Sequence, residues 1–325
     1  MLFFVIKAFL SRFLDKEPAV HSTLQSLNKG AIVSAEHNSF KPQPCQQSPT
    51  KDQNSMDTWR LIPLETHNAF MNMAIDEAIL TSRAEHFVPN TLRLYQWQPS
   101  AVSIGKNQNP QETVHLEALK EFGVDLVRRN SGGGTVYHDQ TGEITYSVTA
   151  QTRDLSRTSD ITGAYTNIYA AITDALRLLG IAADFNAGDT KNCPNLTVQG
   201  KKISGSAQTL KRTVIQQHGT LLLSVDLPRM FQLLRVPFTD NCSLAAQITT
   251  RKITSVQNEL GHAVTAETAA NALAQGFMAK LKIHLLSSKL TLYEQALAKK
   301  LYARKYSTAS WNQNAQLNSS SPTAT

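Results

Sequence analysis

Three short stretches of this 325-residue chain carry residue types that could do chemistry together. The first is RRNSGGGTVYHDQTGEITYS, from Arg128 to Ser147. Its consecutive glycines, Gly132, Gly133 and Gly134, let the backbone approach a ligand closely and turn several N–H groups toward one anion. Arg129 would arrive at the same place. The pattern is neither G-x-G-x-x-G nor a Walker A loop, because no GK[ST] follows. A hairpin turn would account for the glycines alone, but not for their company of Arg128, Arg129, His138 and Asp139.

The second stretch is NCPNLTVQGKKISGSAQ, from Asn192 to Gln208, and the third is QQHGTLLL, from Gln216 to Leu223. Lys202 lies between a glycine turn and a strand of small residues, so its ammonium can reach into a narrow cleft toward a carboxylate or phosphate. Gly205, Ser206 and Ala207 leave room there for an acyl tail. Lys201 reads as a solvated turn lysine. His218 and Thr220 belong to the third stretch, and Cys193 is a thiol in a proline-containing loop of the second.

These residues need a scaffold, and the pattern around them supplies one. Apolar residues recur at helical spacing through HNAFMNMAIDEAIL and through SDITGAYTNIYAAITDALRLLG, the latter capped by Ser159 or Asp160 and stopped at Gly180. Between and after them, TLRLYQW, SAVSIG, VDLVRR, EITYSVTA, NLTVQG, KISGSAQ and VIQQHGTLLLSV read as strands. Beyond Asp226 the chain reads as almost entirely helical, with a capping box at Thr291 and Glu294. Strands with few helices, followed by helices, predict an α+β fold.

Composition narrows the function classes. With 41% hydrophobic and 18% charged residues the chain can bury a large core, and no 20-residue uncharged apolar run predicts a membrane span. Cys45, Cys193 and Cys242 show no CxxC spacing, so a disulfide framework or a cysteine zinc site is not expected, and a reducing compartment fits. The net charge of +7 is concentrated from Lys280 to Lys305, seven basic residues against Glu294, and reads as a solvated helix face. No nucleic-acid motif accompanies it. His138, Asp139 and His218 lack metal-ligand spacing, so no metal site is predicted. Residues 1–55 have the composition of a leader or linker outside the fold, with Met56 a natural first residue. The catalytic domain is expected over 56–312, with its core at about 88–285, and a disordered tail over 313–325.

Taken together, NMAIDEA, LYQWQPSAVSIGKNQN, RRNSGGGTVYHD, GKKISGSAQ, HGTLLL and the closing KYSTASWN make the chain resemble the lipoate-protein ligase family, relatives of biotin ligases and octanoyltransferases, from about Trp59 to Asn312. The resemblance implies mixed β-sheets flanked by helices, with a helical C-terminal segment. It also implies transfer of a lipoyl or octanoyl group to a lysine of a lipoyl carrier domain, such as glycine cleavage H protein or a 2-oxoacid dehydrogenase E2. In a ligase, ATP and Mg2+ would be co-substrates and no cofactor would stay bound. Arg129 with the stretch Gly134, Thr135, Val136 and Tyr137 would hold an adenylate, Lys202 would bridge the acyl oxygen and the phosphate, and His218 and Thr220 would line the pocket wall. A basic GRGRRG-type loop, expected for biotin ligation, is replaced here by RRNSGGGTVYHD.

Two departures stand out. Asn195 occupies a place where the ligases carry an acidic residue, and only QNAQLNSSSPTAT follows KYSTASWN, where many ligases continue into a further small domain. The ATP-dependent ligase, working with an accessory subunit, is therefore weighed against an octanoyltransferase that takes its acyl group from acyl carrier protein as a Cys193 thioester. A non-catalytic module that binds lipoyl carriers is the third reading. A cytoplasmic location is expected, with organellar targeting by residues 1–55 left open.

Overall fold

The alternation of side chains along the strands decides which residues meet. In the computed structural model, residues 56–156, 160–188 and 193–316 are described. The leader expected over 1–55 lies outside them. Eight strands form one sheet in the order β11-β1-β2-β6-β10-β9-β8-β7. They are β1 (Asp57–His67), β2 (Thr91–Trp97), β6 (Glu143–Gln151), β7 (Asp184–Asn186), β8 (Asn195–Val198), β9 (Lys201–Lys211), β10 (Val214–Leu222) and β11 (Ile283–Ser287). A second sheet, β4-β3-β5, joins β3 (Ala101–Ile104), β4 (Asp125–Arg128) and β5 (Val136–His138). Parallel pairs (β11/β1, β1/β2, β3/β4) mix with antiparallel ones. With four helices of ten residues or more among the described residues, α1 (Ala69–Ala84), α2 (Ile161–Leu178), α3 (Ala266–Leu281) and α4 (Leu292–Leu301), the architecture is the expected α+β one.

The large sheet is two-faced. Leu92 and Leu94 of β2, Ile144, Tyr146 and Val148 of β6, and Ile215 and Leu221 of β10 point into the main core. There they meet Ile168, Ile172 and Leu176 of α2, and Leu273 and Phe277 of α3. Successive residues of a strand face opposite ways. The other face therefore receives Arg93 and Tyr95, then Thr145 and Ser147, then His218 and Thr220. The ladder sets them in rows: Tyr95 opposite Thr145, Thr145 opposite Thr220, Thr220 opposite Gly205, and Ser147 opposite His218, itself opposite Ala207. β6 is buried along its whole length because both faces are covered.

Two expectations are corrected. The region after Asp226 is not wholly helical: Ile283–Ser287 is a strand pairing in parallel with β1, so the sheet gains its edge from a segment more than 200 residues downstream of its partner. The buried set also extends beyond 88–285 on both sides. Trp59 and Ile62 on β1, Met73 and Ile75 on α1, and Tyr306 and Trp311 near the C-terminus are all buried. Of the tail expected over 313–325, Gln313 and Asn314 continue the short helix Ala309–Asn314. Residues 317–325 lie outside the described residues. The predicted capping box is present, Thr291 and Glu294 each bonding the other's backbone N–H. Among the described residues no helix is long and apolar enough to cross a membrane.

Candidate active site

On the polar face of the large sheet two adjoining cavities open, with empty volumes of about 350 and 490 Å³. The first is lined by Met73, Tyr95, Trp97, Arg129, Val136, His138, Gly205, Ser206, Ala207, His218 and Thr220, among others. Thr135, Val136, Tyr137, Lys202, Gly205, Thr220, Met230 and Leu234 are among the walls of the second. Val136, Gly205 and Thr220 belong to both. Met73, Trp97, Val136 and Ala207 give the first a largely apolar lining that suits an acyl chain, with polar groups at the junction. All three sequence stretches contribute, but Gly132, Gly133 and Gly134 are not among the lining residues of either cavity.

That loop is locked rather than open. Gly133 has φ of +90°, which an L side chain rarely adopts, and a Cβ on Gly105 would collide with the Gly133 carbonyl. Arg129 fixes the loop from within: its NH2 donates to the carbonyls of Gly132 and Gly134, each at 2.9 Å. Its NH1 donates to the carbonyl and hydroxyl of Ser103 at 2.9 and 2.8 Å, and Nε reaches the Ser131 hydroxyl at 3.4 Å. All five guanidinium N–H groups thus have protein acceptors. Burial lowers the Arg129 pKa to about 10, which leaves it charged at neutral pH.

Behind Arg129 stand two parallel chains. The Ser103 hydroxyl, accepting from Arg129, lies 2.7 Å from His138 Nε2, and His138 Nδ1 lies 2.7 Å from Glu143. The Ser131 hydroxyl lies 2.6 Å from His218 Nε2, and His218 Nδ1 lies 3.1 Å from Asp76. An ionised carboxylate only accepts, so each Nδ1 carries a proton toward it, and each Nε2 meets a serine hydroxyl. Burial pushes the Asp76 carboxyl up, but His218 and Arg93 together hold it below its ordinary value. Arg93 also grips the Asn72 side chain at 2.7 Å, and His138 stacks on Trp97 at 3.9 Å. The neighbouring Arg128 turns the other way. It donates to carbonyls of Gly105, Lys106, Gln108, Trp311, Asn312 and Gln313, tying the closing KYSTASWN motif to the loop before the site.

Lys202 reaches the site by a break in register. Between Leu196 opposite Ser204 and Thr197 opposite Lys202, β9 advances two residues while β8 advances one. This bulge at Ile203 turns Lys202 away from the core-facing row that Ser204 and Ser206 occupy. A backbone bridge to Ile253 pins it: its N–H donates to the Lys252 carbonyl at 2.8 Å and its carbonyl accepts from Thr254 at 2.9 Å. The side chain is half-buried, and burial lowers the ammonium pKa to about 8. No ion pair or hydrogen bond engages that ammonium among the described residues. Lys201 is exposed, as expected. Cys193 lines neither cavity, yet it stands within electrostatic reach of both Lys202 and Arg129, where its thiolate would favour their charged forms. It is a half-buried free thiol. No group of three or more metal-ligating side chains occurs among the described residues.

The lipoyl protein ligase A/B catalytic domain matches residues 68–278 of this chain. The chain belongs to that family. It is 34% identical over 275 residues to an octanoyltransferase LipM of Brevibacillus brevis and 36% identical over 274 residues to one of Kyrpidia tusciae. Each match covers 79% of this chain and 99% of the relative. Among solved structures it is similar to a lipoate-protein ligase A bound with ATP, at TM-score 0.70 and 30% identity, over 80% of this chain and all of the other. A bi-partite lipoate protein ligase of Thermoplasma acidophilum, described with its E2 lipoyl domain, matches at TM-score 0.69 and 30% identity, over 81% of this chain and 98% of that one. This family member is an enzyme of the lipoate ligase and octanoyltransferase type.

The residues that sequence reading missed are those backing the motifs: Asp76, Arg93, Tyr95, Trp97, Ser103 and Glu143. Their signal was present. Polar residues alternate with apolar ones along β2 and β6, which marks a second buried face rather than a solvated one once helices cover the sheet.

Proposed function

We propose that this chain is an octanoyltransferase that moves an octanoyl group from acyl carrier protein to a lysine of a lipoyl carrier domain through a thioester on Cys193. The Cys193 thiolate would attack the donor thioester carbonyl, the bond to the donor sulfur would break, and that sulfur would leave as a thiol after protonation. The carrier lysine, as a neutral amine, would then attack the Cys193 thioester, forming the amide and returning the thiol. In both steps negative charge develops on the acyl oxygen, and the unengaged Lys202 ammonium is the donor that would meet it.

The observation that carries this reading is that Lys202 lines the cavity with no hydrogen-bond or ion-pair partner among the described residues, whereas Arg129 has every N–H bonded within the protein. A triphosphate would have to displace those carbonyls and serines, whereas a thioester needs no second cation. The octanoyltransferase relatives support the same reading. Similarity to the ATP-bound ligase keeps one rival in play, lipoylation from free lipoate with ATP and Mg2+, aided by a separate subunit as the bi-partite ligase suggests.

The protein incubated with octanoyl-acyl carrier protein should gain the mass of one octanoyl group on Cys193, removable by hydroxylamine, and pass it to a carrier domain. Cys193→Ser should gain none and modify no carrier. Carrier lipoylation that consumes ATP stoichiometrically and survives Cys193→Ser would overturn the proposal in favour of the ligase.

A further inference from the structure

The turn that carries Cys193 is held by side chains that the chemistry above does not use. Asn195, at the start of β8, is buried, and its Nδ2 donates to the Cys193 carbonyl at 3.2 Å. Tyr169 of α2 donates its hydroxyl to the Pro194 carbonyl at 2.9 Å and accepts from the Ser206 hydroxyl at 2.8 Å. Gln217 of β10 in turn donates to Ser206 at 2.9 Å. The carbonyls of two consecutive residues are therefore each held by a buried donor. The second hold leads in one further hydrogen bond to Ser206, on the strand that lines the acyl cavity.

The residue types fit this task. At position 195 the amide supplies an N–H, whereas an ionised carboxylate there could only accept and would face the Cys193 carbonyl lone pair to lone pair. The Tyr169 ring is fixed between Tyr165, stacked at 6.1 Å, and Phe185 at 5.4 Å, so its hydroxyl has little freedom. Pro194, with its restricted φ, leaves the turn few other conformations.

We propose that Asn195 and Tyr169 are positioning residues for Cys193, and that Ser206 links their grip to the strand beneath the acyl chain. This rests on the transferase reading, and it assigns a use to the departure at position 195.

The test compares full-length wild type, Asn195→Ala, Tyr169→Phe and the double variant in two assays. One is the rate of octanoyl transfer onto Cys193 from octanoyl-acyl carrier protein. The other is the rate of alkylation of Cys193 by iodoacetamide, with Cys242 as internal reference and thermal unfolding as the check on the fold. Each single variant should acylate about five- to tenfold more slowly through kcat with KM unchanged, the worth of one hydrogen bond. Each should also alkylate Cys193 several-fold faster, with Cys242 unaffected. Asn195→Asp should acylate more slowly than Asn195→Ala. Acylation and alkylation both within twofold of wild type in the double variant would overturn the proposal. If wild type accepts no octanoyl group, the transferase reading falls on that arm alone. The alkylation arm still decides the anchoring: an unchanged Cys193 rate overturns it and a faster one upholds it.

Discussion

The two sides of the acyl cavity are built on opposite principles. On the glycine-loop side, Arg129, Ser103, Ser131, His138 and His218 are all engaged in hydrogen bonds, to one another, to the Gly132 and Gly134 carbonyls and to two buried carboxylates behind them. On the β9 side, Lys202 has no such partner, is held only by its backbone, and has its pKa lowered by burial to about 8. A satisfied polar network is rigid and costly to disturb, while an unpartnered buried cation is costly to keep and available to a substrate. The glycine loop catches the eye in the sequence, but its side of the cavity is scaffold. On the proposed mechanism the chemistry lies across from it.

The largest effect should therefore come from the unsatisfied side. Lys202→Ala removes the only cation of the cavity with free donors among the described residues, and about a 100- to 1000-fold loss of acyl transfer is expected. Folding should be unchanged or slightly improved, because the variant relieves a desolvated charge. Lys201→Ala, one residue away and exposed, is the control and should leave the rate within twofold. Steady-state transfer to a carrier domain, with unfolding midpoints measured in parallel, checks both. Near-normal turnover in Lys202→Ala would place the acyl site elsewhere.

The satisfied side should respond in the reverse sense. Arg129→Ala takes the guanidinium donor from the buried Gly134 carbonyl and leaves the Ser103 and Ser131 hydroxyls only their histidine partners, so a loss of about 2 to 4 kcal/mol of stability is expected, with activity falling as the loop loosens. Urea unfolding reads it directly. An Arg129→Ala protein as stable as wild type but unable to bind ATP would show instead that the arginine serves a phosphate, and the comparison between the two sides would fail.

How much of this was legible depends on the range of the interaction that fixes each residue. The glycine triplet, Lys202 and His218 are carried by short motifs, and the strands bearing them follow from local alternation. Asp76 was hidden because its partner His218 is 142 residues away, and only strand register brings them together. β11 went unread for the same reason, a five-residue strand made by pairing with β1 at the other end of the chain. Its neighbours singled out Lys202, and the structure sets it in a cavity wall while Lys201 is exposed. Plain alternation would have sent it to the core-facing row with Ser204 and Ser206, and the bulge that redirects it is a feature of pairing that the sequence of β9 alone does not display. The motif KYSTASWN carried family resemblance without a meaning, which the Arg128 contacts now supply: it closes the fold behind the site.

The smallest of these effects is a dependence on pH, and it separates the two sides without a cavity-forming substitution. Lys202 must be protonated to meet the acyl oxygen, and with its pKa at about 8 the competent form declines as pH rises through that value, tenfold per unit once well above it. Stability should move the other way. Burial disfavours the ammonium in the folded protein, so between about pH 8 and the ordinary lysine value near 10.5 the unfolded chain holds the extra proton, and folding gains as pH rises through that window. The Arg129 side stays charged over most of this range and contributes no such limb. Octanoyl loading of Cys193, followed by mass from pH 6.5 to 9.5, should therefore fall above about pH 8 while the unfolding midpoint does not fall with it. In Lys202→Arg, whose guanidinium stays charged, the descending limb should vanish even if the absolute rate is lower. A descending limb that persists in Lys202→Arg would assign it to some other group and remove Lys202 from the reacting centre.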